Sequence, residues 1–174
     1  VASRIASGFF NDVVKHCDML IDIHTGSFYR TNIPQLRADL SNKPVADFVD
    51  LFGDIPVLHS PGNKRSLRAA AVSAGIPTVT LEAGEPMRMQ RDMVDIGVTL
   101  ITTLLAKSGM YSKLGLWVKP APAYYDTTWV RTDASGILFS RIALGDQVKE
   151  GDVLGAVNNP ISNEQVDIIS PYKG

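Results

Sequence analysis

Met19-Leu20-Ile21-Asp22-Ile23-His24, closed by Thr25-Gly26-Ser27, is the stretch on which the fold turns. It is short, mostly apolar, and shows little polar/apolar alternation. A strand with one wet face alternates, whereas a strand covered on both faces does not, so this run reads as a strand inside a parallel sheet layered by helices. Upstream, from residue 3 to 16, Ile5, Phe9 and Val13 recur with Ala6, Phe10 and Val14 beside them. That is helical spacing with a wide face to bury.

Downstream, residues 28–42 are polar, carry Arg and Asn, and read as a loop. Residues 45–52 read as a helix, 55–59 as a second strand, and Ser60-Pro61-Gly62-Asn63 as a break. The Ala-rich residues 67–74 read as a helix stopping at Gly75, and residues 77–82 as a third strand. Residues 89–107 read as a long helix with Met93, Ile96, Leu100 and Leu104 along one side. Helices alternate with strands throughout, which predicts an α/β fold, a layered sheet with helices packed on it. Near Pro120-Ala121-Pro122 the texture changes. Short β-like runs at 124–131, 136–142, 153–157 and 166–169, separated by Gly, Asp and Asn turns, predict a small all-β module. The expected division is therefore 1–119 and 120–174. Within the module, Gly145-Asp146-Gln147-Val148 is echoed by Gly151-Asp152-Val153-Leu154, too short to be a repeat architecture.

The 174 residues carry 17 Lys and Arg against 18 Asp and Glu, a net charge of −1. No basic stripe is present, which excludes the broad footprint of a nucleic-acid binder. The longest apolar stretch, residues 96–106, is far short of the roughly 20 residues that cross a bilayer, so no membrane span is expected. One cysteine, Cys17, excludes a disulfide framework within the chain and a cysteine-rich zinc knuckle. On an apolar helix face it reads as a buried structural thiol compatible with a reducing compartment, and the cytoplasm is the expected location. No charged-then-apolar signal segment opens the chain, and the first residue is Val rather than Met, so part of a longer protein is expected.

In open α/β sheets ligands bind outside the carboxyl ends of the strands. Those ends carry His24, His59 and Glu82. Asp22 stands two residues before His24, on the same strand face, where a carboxylate could orient the imidazole of a metal ligand or base. A capping histidine satisfied by backbone is the commoner outcome for that spacing taken alone. The combination with Glu82 favours chemistry: each strand end runs into a Gly-bearing loop, Thr25-Gly26 and Ala83-Gly84, and a zinc hydrolase needs one such Glu as its base. His59 has no carboxylate at a matching offset and reads as structural or pocket-lining. Among the arginines in or beside the same loops, Arg30, Arg37, Arg65 and Arg68, the bidentate guanidinium suits a substrate carboxylate, and most arginines are simply solvated. Arg68, on the Ala-rich helix leading to the Glu82 strand, is the best candidate; Arg30 is a weaker one.

Leu20-Ile21-Asp22-Ile23-His24-Thr25-Gly26, with Thr80-Leu81-Glu82-Ala83-Gly84 and the run from Arg68 through Gly84, resembles the succinylglutamate desuccinylase/aspartoacylase family of zinc-carboxypeptidase-like hydrolases. The resemblance implies a mixed, largely parallel sheet flanked by helices. It implies zinc as cofactor, with His24 matching a zinc ligand in an Asp-x-His strand end and Asp22 its orienter. Glu82 matches the catalytic glutamate that activates water for attack on an amide carbonyl, and Arg68 matches an arginine that grips the substrate carboxylate, with Arg30 as a second substrate-binding candidate. The family's His-x-x-Glu pair and Asn-Arg motif do not occur in the sequence. Two zinc ligands are therefore expected upstream of Val1, and the chain alone is expected to be inactive.

The substrate so implied is an N-acyl amino acid or similar small amide, with no nucleic-acid or membrane partner; a homo-oligomer is compatible. Alternatives are a zinc carboxypeptidase acting on peptides, and a non-catalytic binding protein whose metal site is lost. Residues 145–154 resemble a biotinyl/lipoyl-type barrel. Asn158-Asn159-Pro160-Ile161-Ser162-Asn163, where a carrier domain presents its modified lysine, holds no Lys, so the module reads as structural. It is expected to be truncated at its C-terminal end.

Overall fold

The computed structural model describes residues 1–112 and 122–174, in two compact units, Val1–Asp126 and Thr127–Gly174. In the first, α1 (Ala2–Asp12) and a 3-10 turn (Val14–His16) precede β1 (Leu20–His24) and β2 (Asn32–Ala38). Then come α2 (Lys43–Val49), β3 (Val57–His59), α3 (Leu67–Ser73), β4 (Thr78–Gly84), α4 (Arg91–Lys107) and β5 (Ala123–Tyr124). The strands lie side by side as β1-β4-β2-β3-β5. All neighbours are parallel except β4 and β2, which run antiparallel. This is the mixed, largely parallel, helix-flanked sheet that the sequence implies.

The two faces of the sheet differ. Ile21, Leu36, Ala38, Val57, Val79 and Leu81 point to one face, where Val45, Phe48 and Phe52 around α2 and Leu100 and Leu104 of α4 cover them in the main core. Phe48 and Phe52 meet edge-on, ring centroids 5.3 Å apart, a preferred aromatic geometry. The other face is apolar at its base, where Leu20 packs with Val14, Leu67, Ala71 and Ile76. Above that base β1, β4 and β2 turn Asp22, His24, Thr80, Glu82, Gln35 and Arg37 to it. The helices start where local chemistry allows: Asn42 accepts a hydrogen bond from the Val45 amide at 3.3 Å to open α2, and Ser66 accepts from the Ala69 amide at 3.2 Å to open α3.

Three expectations are corrected. Residues 28–42 are not all loop, since β2 lies inside them and forms the middle strand of the sheet. Its polar residues face the site rather than water, so they mimic a loop. The stripe of α1 is not buried: the helix has no buried residue, and Ile5 is 67% exposed. Cys17 is half-buried, its thiol directed at the Val13 carbonyl oxygen at 3.5 Å.

Residues 120 and 121 of the expected seam lie outside the described residues. Beyond them, Ala123–Tyr124, part of which read as the β module, pairs with β3 in the larger sheet. The second unit holds β6 (Ile137–Ser140), β7 (Val153–Asn158) and β8 (Gln165–Ile169), an antiparallel sheet in chain order. The Gly-Asp echo has a mechanism: Asp146 accepts from the Ala143 amide and Asp152 from the Lys149 amide, both at 2.7 Å, so each aspartate closes the turn three residues before it.

Candidate active site

Parallel pairing sets His24 beside Glu82 and Asp22 beside Thr80 on neighbouring strands β1 and β4. Paired residues point to the same face, so Asp22, His24 and Glu82 stand together on the polar face, at the carboxyl ends of both strands. Asp22 Oδ1 lies 3.0 Å from His24 Nε2, and the His24 side chain is half-exposed, reachable from solvent. The two Gly-bearing loops close on each other, the Gly26 amide donating to the Gly84 carbonyl at 2.9 Å. A Cβ at Gly26 would overlap the Arg30 carbonyl oxygen, so only glycine permits that approach.

Arg68 comes to the same place from α3. It is 7% exposed, and its Nη1 donates to the Ser60 carbonyl at 2.7 Å. Gly62, at φ +81°, wraps the guanidinium so closely that a Cβ there would meet Nη2 at 2.9 Å. Burial lowers the Arg68 pKa below its ordinary value, and the neighbouring Arg37 guanidinium lowers it further; the carboxylates of Asp39, Asp22 and Glu82 act in the opposite sense. Two guanidiniums and three carboxylates thus share a small, partly desolvated area.

The strand missed in the sequence supplies two side chains at Glu82. Asn32 Nδ2 donates to Glu82 Oε2 at 2.8 Å, and Arg37 Nε lies 3.3 Å from Glu82 Oε1. The second contact is an ion pair without an aligned hydrogen bond, because Arg37 Nε has no hydrogen-bond acceptor. The available signal was an Arg two residues after the buried Gln35 in an apolar-flanked run, but Pro34 and the polar composition masked it.

Arg30 lies in the loop between β1 and β2. With Phe28, Tyr29, Thr31, Pro86 and Met87 it lines a cavity of about 590 Å³, apart from the Asp22–His24–Glu82 cluster. His59 pairs with Ala38, on the opposite face; its Nδ1 accepts from the Leu40 amide at 3.1 Å and its ring packs against Tyr125. A second cavity, about 290 Å³, lies against α4 and is lined by His24, Glu85 and Arg88 as well as by Ile23, Leu81 and Met93 among others. Among the described residues, no three His, Cys, Asp or Glu side chains converge as a metal-binding set. The described residues therefore do not make up a zinc site by themselves; His24, oriented by Asp22, has the form of one ligand. Among them, too, no helix is long and apolar enough to cross a membrane.

A family model described as the succinylglutamate desuccinylase/aspartoacylase catalytic domain matches residues 1–108. No curated protein sequence matches the chain. A succinylglutamate desuccinylase from Silicibacter sp. TM1040 superposes with a TM-score of 0.84 at 19% identity, covering 100% of this chain and 56% of that one. The apo structure of the ectoine utilization protein EutE (DoeB) from Ruegeria pomeroyi gives 0.87 at 19% identity, covering 100% and 58%. A succinylglutamate desuccinylase/aspartoacylase from Rhodobacter sphaeroides gives 0.80 at 16% identity, covering 98% and 55%. The chain thus spans a little over half the length of these structures, and the likeness extends over both of its units.

Proposed function

Since the chain belongs to the succinylglutamate desuccinylase/aspartoacylase family, we propose that it serves in a zinc-dependent hydrolase that removes the acyl group from an N-acyl amino acid or similar small amide. The observation that supports this most is the placement of Glu82 beside the Asp22–His24 pair on two adjacent, parallel strand ends. A glutamate there can take a proton from an attacking water and return it to the departing amine, the two transfers amide hydrolysis requires. Zinc, when bound, would polarise the amide carbonyl and acidify the water. His24 would be one of its ligands, held by Asp22, with the other donors supplied from outside the described residues.

Arg68 would anchor the substrate carboxylate. Its burial beside Arg37 favours an incoming anion, which relieves the repulsion of two neighbouring cations. Arg30, on the wall of the cavity of about 590 Å³, would contact the remainder of the substrate. A cytoplasmic setting accords with the lone half-buried cysteine.

Glu82→Gln in the zinc-loaded protein tests the reading. Hydrolysis of N-acyl amino acids should fall by about 100-fold or more while zinc content is unchanged. Retained turnover would remove Glu82 from the mechanism. Short peptides assayed in parallel separate a deacylase from a carboxypeptidase, and absence of both zinc and hydrolysis would leave a binding protein.

A further inference from the structure

Asn32 and Arg37 are five residues apart on β2, an odd separation that in a regular strand puts side chains on opposite faces. Here they share one. Arg37 pairs with Thr80 and Gln35 with Glu82, but Asn32 pairs with Gly84, so β2 gains one residue over β4 between Asn32 and Gln35. That is a β-bulge. It contains Pro34, whose missing N–H is tolerated where ladder pairing is interrupted. The extra residue reverses the alternation, so Asn32, Gln35 and Arg37 all fall on the face that carries Glu82.

We propose that β2 is the strand that positions the general base, with Arg37 on one carboxylate oxygen of Glu82 and Asn32 on the other. This rests on the reading of Glu82 as base. The side chain is 12% exposed and gripped at both oxygens, so it is held in one rotamer instead of sweeping the site. A carboxylate offers about four lone-pair directions, and the Asn32 hydrogen bond uses one while Arg37 adds an ion pair without an aligned hydrogen bond, leaving each oxygen able to receive a proton. Arg37 and Asn32 act through Glu82; they are positioning residues, distinct from Arg68, whose guanidinium is fixed by the Ser60 carbonyl.

The test has two arms. In the zinc-loaded protein, Arg37→Gln should lower kcat on the order of 100-fold, the loss expected from misplacing a reacting group by about 1 Å, with KM changed less than about threefold. Arg37→Lys should recover part of the loss. In a Glu82→Gln background Arg37→Gln should cost nothing further, because residues acting as a unit are not additive. A raised KM with kcat intact, or losses that multiply in the double variant, would make Arg37 a substrate contact and overturn the proposal.

The second arm needs no activity. In urea unfolding of the 174-residue chain, the Arg37→Gln/Glu82→Gln cycle should show coupling of about threefold or more in the unfolding equilibrium constant. Additive effects would overturn the clamp, and Arg37→Lys serves in place of Arg37→Gln if the latter does not fold. If the wild type hydrolyses no N-acyl amino acid while the cycle shows coupling, the reading of the function fails and the contact between β2 and Glu82 stands.

Discussion

Glu85, three residues past Glu82, ties the two site loops together. Its carboxylate accepts from Arg88 Nε and, at 2.9 Å, from Thr31 Oγ1. Those hydrogen bonds, the one from Arg88 foremost, hold its pKa below the ordinary 4.5. A carboxyl depressed in the folded state contributes stability above its unfolded pKa and loses it as pH falls through the folded value. Glu85→Gln should therefore lower Tm near neutral pH, with the gap to wild type closing as pH drops below about 4; a constant gap across the titration would contradict this. Gly62 carries a second residue-scale prediction. Any side chain there meets both a strained φ and the Arg68 guanidinium. Gly62→Ala should cost about 1–3 kcal/mol in denaturant unfolding and raise KM through a displaced Arg68. At this scale the gathering of Asp22, His24 and Glu82 was legible because His24 and Glu82 end apolar runs, where a polar group has few reasons to be, and Asp22 shares a strand face with His24. Asn32 and Arg37 were not, since their partner lies 50 and 45 residues away along the chain and no local period links them.

Among elements, β2 was the least legible and is the most central. A strand whose one face joins a polar site and whose other joins the core alternates like a surface strand, and a proline within it argues further against pairing. Its core side is unambiguous once seen: Leu36 and Ala38 are both 0% exposed. Leu36→Ala should destabilise by about 2–5 kcal/mol, because the surrounding sheet and helices collapse only partly into the space vacated. The counterpart is α1, whose periodic apolar stripe is clear in the sequence but is not buried in this chain. Ile5→Ala should stay within about 0.5 kcal/mol in the same urea titration. Periodicity reports what an element can bury, and the neighbours decide whether it does. The same reasoning covers β5, where a two-residue pairing is too short to leave any pattern.

Across the whole molecule, the buried apolar side chains are unevenly shared. The first unit holds the main core around β2, β3 and β4, whereas in the second only Ala156 and Val157 are buried hydrophobics. A three-stranded sheet with so little covered apolar surface opens at lower cost than a strand packed on both faces. In hydrogen exchange followed by mass spectrometry, amides of β4 should outlast those of β6 and β8 by at least about tenfold. The switch from helix-strand alternation to closely spaced turns was visible in composition. The point at which the larger sheet ends was not, since strand partners are chosen in space and β3 lies more than sixty residues upstream of β5.

The bulge in β2 also sets what kind of genetic change the site can absorb. Substitutions at Ile33 or Pro34 leave the count of residues between Asn32 and Arg37 unchanged. Removing either residue leaves Asn32 two positions from Gln35, the spacing of their partners Gly84 and Glu82, so the bulge disappears and Asn32 still faces Glu82. A library of single-codon deletions through this strand should therefore tolerate loss of residue 33 or 34 better than loss of Leu36, which would leave Gln35 and Arg37 adjacent and on opposite faces. That short interval is thus a place where inheritance can drop a residue without changing which side chains meet Glu82.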